Sequence, residues 1–265
     1  MAASERFACL VALAVFAGGA VGLVLQRLLP EEFTTGGPRD MIGAVVGLLT
    51  LLSALVLGLL IWTAYGVYSG QNIAIQTLAA KDLQLDLALT DYGSEAVAGR
   101  AQLRQDLAKT VDEIWGEHQH TEKFVAKNFA AAIDNLRRRQ AYLDTLDPQT
   151  DRQKRALAAA MQTIDAIAQS RLQMSLALSS PVSYPLILTV LGWAVGLFCG
   201  FGLMSRANAM SIAALTFGSI AVASAAYLIL DLSSPYSGVF RASPAPLEQV
   251  LEYMAQDQGT VGGQR

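Results

Sequence analysis

From Met41 to Ala80 the chain reads MIGAVVGLLTLLSALVLGLLIWTAYGVYSGQNIAIQTLAA. Asp40 precedes this stretch, Lys81 follows it, and no charge lies between them. A bilayer core needs about 20 consecutive apolar residues in a helix, so the run is about twice as long as one crossing requires. Apolar density is highest from Ile42 to Trp62; then come Thr63, Tyr65, Tyr68, Ser69, Gln71, Asn72 and Gln76. One span ending near Tyr68, with aromatic residues at the interface, accounts for this pattern. No proline interrupts the run, so the helix is expected to continue out of the membrane into a polar region.

That region is where the charge lies. Of 41 charged residues, 27 fall between positions 81 and 171. Only 15% of the 265 residues are charged, against about 25% in a soluble domain. The hydrophobic share is 53%. Such a composition excludes a disordered chain, a collagen and a small disulfide scaffold. The net charge of −3 offers no clustered basic surface for nucleic acid. Cys9 and Cys199 both sit in apolar runs, where cysteine behaves as a small hydrophobe. No CxxC or Cys/His zinc spacing is present.

Working outward, residues 7–25 are uncharged and make a first span over about 7–29. A signal peptide is the rival reading, but the run is long for one and a second span follows at once. A third span covers about 184–204, entered through Pro181 and Pro185, residues that suit a helix start. A fourth covers about 208–230 and ends at Asp231. The link Ser205-Arg206-Ala207 is short, which makes spans three and four an antiparallel pair. The expected fold is all-α: an integral membrane protein with four transmembrane helices, two before and two after a helical soluble insert. The segments are 1–69 (spans 7–29 and 41–68), 70–180 (insert), 181–232 (spans 184–204 and 208–230) and 233–265. The last holds a turn, a short amphipathic helix and an end expected to be disordered beyond Gln256. An even number of spans puts both termini and the insert on one side. Arg6, Lys81, Arg171 and Arg241 flank the membrane there, against Arg27, Arg39 and Arg206 opposite, a bias that favours a cytoplasmic insert.

Inside lipid, helices associate through close backbone approach, so small residues mark seams. They recur at four-residue steps: Gly18 and Gly22 in span one, Gly43 and Gly47 in span two, Gly192, Gly196 and Gly200 in span three. Packing within the chain is the plain reading, and packing between subunits the sharper one. At about 100° per residue, span two gathers Gly43, Gly47, Thr50, Ser53, Ala54, Leu57, Gly58, Ile61 and Ala64 on one side. Leu48, Leu51, Leu52, Leu55, Leu59 and Trp62 lie on the other. The bulky side suits lipid, and the small, weakly polar side suits protein or a pore. Thr50 and Ser53 can equally bond back to their own helix. No ionisable residue lies mid-span, which argues against proton-coupled transport but not against a passive pore with an apolar constriction.

The insert reads as four amphipathic helices. Their apolar stripes are Ile75, Leu78, Leu85, Leu89 and Tyr92, stopped by Gly93; Leu103, Leu107, Val111 and Ile114; Phe129, Ile133, Leu136 and Leu143; and Leu157, Met161, Ile164, Ala168, Ser175 and Leu178. Ser94, Thr121 and the pair Asp147-Pro148 are the expected starts of the last three. Glu117-His118-Gln119-His120 with Glu122 could ligate zinc, but it lies in a loop with no second ligand cluster and reads as a solvated turn. Asp144, Asp147 and Asp151 lack the calcium-loop pattern. Arg137-Arg138-Arg139 reads as a solvated face. No phosphate-binding loop, nucleophile elbow or H-E-x-x-H occurs, so no catalytic residue, metal or cofactor is expected. In the tail, Pro235 to Gly238 make a turn, Ser243-Pro244 starts a helix, and Leu247, Val250, Leu251 and Met254 form its apolar face. That face could dock on the insert or lie on the membrane.

The segments TLLSALVLGLLI in span two, LDLALTDYG followed by RAQLRQDL and IW, and above all the tail LDLSSPYSGVFRASPAPLEQVL resemble a bacterial bestrophin-like family of four-span membrane proteins. In the tail the signature positions are Asp231, Pro235, Gly238 and Ser243. The resemblance covers about 7–254. It implies a multi-pass protein of the bacterial inner membrane, a homo-oligomer in the lipid bilayer, with small inorganic anions as its permeant partners. True bestrophins are pentameric anion channels whose second span lines an apolar neck. Carried over, Leu57 and Ile61 are the candidate constriction residues, with Thr50 and Ser53 beside them as pore-lining candidates. That side carries none of the aromatic rings a bestrophin neck shows. Two functions therefore stand at this point: an oligomeric passive anion channel, and a non-catalytic membrane scaffold or signalling adaptor whose insert binds a partner.

Overall fold

A computed structural model describes residues 3–30, 36–115, 123–179, 184–236 and 238–262. They form α1 (Ala3–Leu28), α2 (Gly37–Tyr92), α3 (Val97–Trp115), α4 (Lys123–Asp144), α5 (Asp151–Ser179), α6 (Tyr184–Met204), α7 (Ala209–Leu232) and α8 (Ala245–Gly262). A short 3₁₀ turn, Ser94–Ala96, joins α2 to α3. No strand is present among the described residues. Among the described residues four helices, α1, α2, α6 and α7, are long and apolar enough to cross a membrane. α2 is one uninterrupted helix of 56 residues, as its lack of an internal proline predicts. The chain divides into two compact units, 1–68 with 181–240 and 69–180 with 241–265.

In the first unit α1 packs along α6 and α7. Glycine makes the α1–α6 seam possible. A methyl group at Gly18 would stand 2.7 Å from the Val195 carbonyl, and one at Gly22 would run into the carbonyl of Cys199. From the other side Gly202 approaches the backbone of Gly19 and Leu23. Backbone cannot step aside as a side chain can, so this seam depends on glycine. Gly43 rests on Met204, and Gly200 makes room for Val46. Gly47, Gly192 and Gly196 meet nothing within 4 Å among the described residues. The glycine ladder of α6 is therefore split. Ile187, Val190, Ala194 and Leu197 form its buried face, and helical pitch turns Gly192 and Gly196 away from that face. Two apolar clusters fill the unit: Val11, Val15, Ala194, Ala223 and Ala226 in one, and Leu60, Ala64, Ile187, Val190, Ile229 and Leu232 in the other. The α6–α7 link is closed by Asn208, whose side-chain oxygen accepts the Ser211 N–H at 2.8 Å, as a helix cap does.

The second unit is a helical lobe with its own buried apolar face. Ile75, Leu78, Leu85, Leu89 and Tyr92 are all buried along α2, as are Leu103 and Leu107 of α3 and Leu143 of α4. Gly93 ends α2 with φ 116°, a conformation that favours glycine. Two expectations are corrected. First, α5 starts at Asp151, not at Asp147-Pro148. Its cap is Thr150: the Thr150 Oγ1 accepts the Gln153 N–H at 3.2 Å, and the Gln153 Oε1 accepts the Thr150 N–H at 3.1 Å. This reciprocal pair is a capping box. Second, the buried face of α5 is Ala156, Ala160, Thr163, Ile164 and Ile167, with Met161 exposed. The stripe is turned by about one residue because alanines, not the larger Leu157 and Met161, let α5 approach its neighbours. α8 lies against α3 with Leu247, Val250 and Met254 buried; it runs past Gln256 to Gly262, which also corrects the expectation of a disordered end beyond Gln256. The Trp115 Nε1 donates to the Ala242 carbonyl at 2.7 Å and ties down its approach. The Glu117–Glu122 segment, the Thr121 start and the Phe129 and Leu178 side chains lie outside the described residues.

Candidate functional site

Three places concentrate unusual chemistry. The first is the membrane-length part of α2. Of its most apolar window only 17% is buried, against 33% in α1, 39% in α6 and 28% in α7. Leu48, Leu51, Leu52, Leu55, Leu59 and Trp62 are exposed, as the bulky side was expected to be. The small side divides. Ser53 is buried, and its Oγ has no hydrogen-bond partner among the described residues. Ala64 is buried in the core, and Leu57 and Ile61 are half-buried on its flank. Thr50 remains exposed, with its hydroxyl donating to the Val46 carbonyl at 2.8 Å. Gly47 and Gly58 stand in open space, and Ala54 between them is exposed. An open edge of Gly47, Thr50, Ala54 and Gly58 thus runs along α2, with Leu57 and Ile61 at its margin. Tyr65, four residues beyond Ile61, is exposed and puts an aromatic ring on the same row, which corrects the expectation that this side carries none.

The second place is the turn after α7, which brings together two of the four tail residues singled out above. The buried Asp231 carboxylate accepts the Val239 N–H at 3.1 Å and the Phe240 N–H at 2.9 Å. Gly238, at φ 94°, packs directly on that carboxylate, and a methyl group there would collide with its Oδ1. Pro235 is buried in the turn. Ser243 is apart from it: its Oγ accepts the Ala245 N–H at 3.2 Å at the start of α8. Burial pushes the Tyr236 phenol well above its ordinary pKa.

The third lies in the lobe, and sequence reasoning missed it. Asp82 and Asp86, one turn apart on α2, are 1% and 2% exposed. Arg100 of α3 grips both oxygens of Asp86 at 2.8 Å and reaches Asp257 of α8 at 2.7 Å. The hydrogen bond to Asp86, then that to Asp257, hold its guanidinium more basic than usual against desolvation. Arg139 of α4, 6% exposed, donates to Asp82 at 3.1 Å, and its Nε lies 3.6 Å from Asp106. Arg171 of α5 faces the same acids; burial lowers its pKa, Arg139 adds to this, and Asp82 and Asp106 oppose it. Lys81 donates to the Ala166 carbonyl at 2.9 Å and to Ser170 at 2.6 Å. The Arg137-Arg138-Arg139 run is therefore corrected: Arg137 and Arg138 are exposed, but Arg139 is a core residue. A signal for this was present, because Asp82 and Asp86 fall on the face marked by Ile75, Leu78, Leu85 and Leu89. A charge on an apolar face calls for a buried partner. No group of three or more metal-binding side chains occurs among the described residues.

A family model described as the bestrophin-like domain matches residues 10–247. In fold the chain is similar to crystal structures of a bacterial bestrophin homologue from Klebsiella pneumoniae. One substituted form matches with a TM-score of 0.66 at 15% identity, over 95% of this chain and 99% of that one. A second matches with 0.62 at 14% identity, over 94% and 98%. A crystal structure described as that of a membrane protein matches with 0.63 at 14% identity, over 95% and 98%. No curated protein sequence matches the chain significantly.

Proposed function

The chain belongs to the bestrophin-like family, and from that premise we propose that it is a passive ion channel of the bacterial inner membrane. In this reading it is a homo-oligomer in which each subunit lends its second span to a shared pore for small inorganic anions. The observation that carries the reading is the thin cover of α2, the least buried of the four apolar helices. Its bulky exposed side suits acyl chains. Its other open edge, Gly47, Thr50, Ala54 and Gly58, offers lipid little to pack on and suits a neighbouring helix or a water-filled path. Leu57, Ile61 and Tyr65, spaced by four, are the proposed constriction, and an apolar constriction gates by shedding water. Thr50 borders the path, whereas Ser53 faces the subunit's own core and is left out of it. The spans carry no mid-membrane charge, which suits downhill passage better than ion coupling. Two spans before and two after the lobe, with lobe and termini in the cytoplasm, complete the proposed topology.

The test is halide flux into liposomes holding the purified full-length protein, together with its mass in detergent. Leu57→Ala combined with Ile61→Ala should widen the constriction and raise flux severalfold, while Leu51→Ala on the lipid side should leave it unaltered. A strictly monomeric protein whose liposomes are silent to halides and cations would overturn the reading. An oligomer that passes no ion would move the weight to the scaffold reading, in which the lobe captures a partner.

A further inference from the structure

The channel reading makes no use of the turn after α7, although it contains the most distinctive stretch of the tail. There Val239 is 75% exposed and Phe240 42% exposed, yet their backbone is held firmly. Both N–H groups donate to the buried Asp231 carboxylate, and Gly238 lies where no side chain would fit. A buried acid thus serves to hold two apolar side chains outward in a fixed conformation. The turn directly follows a helix apolar enough to cross a bilayer and belongs to the same compact unit. The next residue, Arg241, is exposed.

We propose that this turn is a lipid-interface anchor. Val239 and Phe240 enter the boundary between headgroups and acyl chains, and the Arg241 guanidinium sits at the level of the phosphates. The inference rests on the reading proposed above, in which α2 and α7 both span the membrane. The chemistry fits: aromatic and apolar side chains settle at that boundary, and a basic residue beside them is drawn to anionic headgroups. A second copy of the chain is the weaker occupant. The two side chains together present on the order of 200 Å², far below the roughly 800 Å² per partner of a stable protein interface.

The test uses the full-length protein with Cys9→Ser and Cys199→Ala, and one nitroxide-labelled cysteine at Val239→Cys, Phe240→Cys or, as a control on α2, Leu51→Cys. In vesicles of phosphatidylcholine and phosphatidylglycerol, power saturation compares access by oxygen and by a water-soluble nickel chelate. Labels at 239 and 240 should favour oxygen at a depth just below the phosphates, with the 51 label deeper. Arg241→Gln should move the 240 label toward water and remove its dependence on the phosphatidylglycerol fraction. Asp231→Asn should loosen both labels. If the 51 label is in lipid but 239 and 240 are open to nickel, the anchor fails and the spanning reading stands. If 239 and 240 are closed to both reagents, protein covers them and the anchor again fails. If the 51 label is itself in water, the spanning reading falls, and the anchor with it.

Discussion

Removing Arg100 should do more damage to the lobe than removing either of its partners. Arg100 holds both oxygens of Asp86, which is 2% exposed, and one oxygen of Asp257, whose side chain is 32% exposed. Arg100→Ala strands the Asp86 carboxylate in a dry interior, and breaking a buried pair this way costs about 3–5 kcal/mol. Asp86→Asn should cost less, because Arg100 keeps Asp257 as a partner and the amide oxygen can still accept. Asp257→Asn should cost about 1 kcal/mol or less, since a partly exposed pair is screened by water. The double change Asp86→Leu with Arg100→Met removes both charges and should recover most of the loss, as apolar replacement of a buried pair often does. Thermal unfolding of the purified protein in detergent, followed by far-UV circular dichroism, gives the order. Arg100→Ala should lower the midpoint by roughly 10 °C, given about 2–4 °C per kcal/mol for a domain of this size. Hydrogen exchange should rise first in α3, in α8 and in α2 around Asp86, the segments that Arg100 joins. Equal effects from Arg100→Ala and Asp257→Asn, or a double variant no better than Arg100→Ala, would refute the reasoning.

Four further outcomes are expected. Gly22→Ala drives a methyl group into the Cys199 carbonyl and should cost at least about 2 kcal/mol, seen as lost folded yield on size-exclusion chromatography. Gly196→Ala meets open space and should be neutral or slightly stabilising, because alanine is the better helix former. Thr150→Ala removes the capping box of α5 and should cost about 1 kcal/mol, read from the same thermal midpoint. Burial raises the Tyr236 phenol above its ordinary value of about 10. Its share of stability is therefore complete below about pH 10 and is lost as pH rises toward the folded value. Tyr236→Phe should flatten the fall in thermal midpoint above pH 10; an unchanged alkaline slope would show that Tyr236 does not titrate on unfolding.

How much of this could be read from residues alone depends on the solvent each helix faces. In the second unit, where charged and apolar residues alternate along each helix, polarity sorts the side chains. A single apolar stripe therefore identified the buried faces of α2 and α3, down to Ile75, Leu85 and Leu107. Reading failed where size, not polarity, decides. α5 carries both a Leu157–Met161 row and an Ala156–Ala160 row, and hydropathy favours the first. Close helix approach favours the second, because alanine occupies no space between backbones. Similarly, Asp147-Pro148 is a good helix start in isolation, but Thr150 with Gln153 satisfies two backbone donors where Asp147 offers no such pair. The buried charges were legible in principle as acids on an apolar stripe. Their partners, Arg100 and Arg139, come from helices 14 and 57 positions away, and no local rule pairs them.

In α2's membrane part the same stripe logic loses its power, and this is why the candidate pore face was only half legible. Lipid is as apolar as leucine, so no transfer free energy distinguishes a side chain facing acyl chains from one facing another helix. A helical wheel can separate the bulky arc of Leu48, Leu51, Leu55 and Trp62 from the small arc. It cannot say which edge of the small arc the subunit's own helices occupy. Thr50 and Ser53 are three positions apart, about 60° around the axis, and similar in chemistry. One is exposed and the other buried, because Leu60 and Ala64, on the same side as Ser53, pack against Ile187, Val190 and Ile229. That choice is made by tertiary packing, in which α6 turns Val190 and Ala194 inward and leaves Gly192 and Gly196 outside. Among the described residues nothing packs on Gly47 or Gly58 and Ala54 is exposed, so in the proposed channel flux and oligomer mass bear most directly on what lies against this edge.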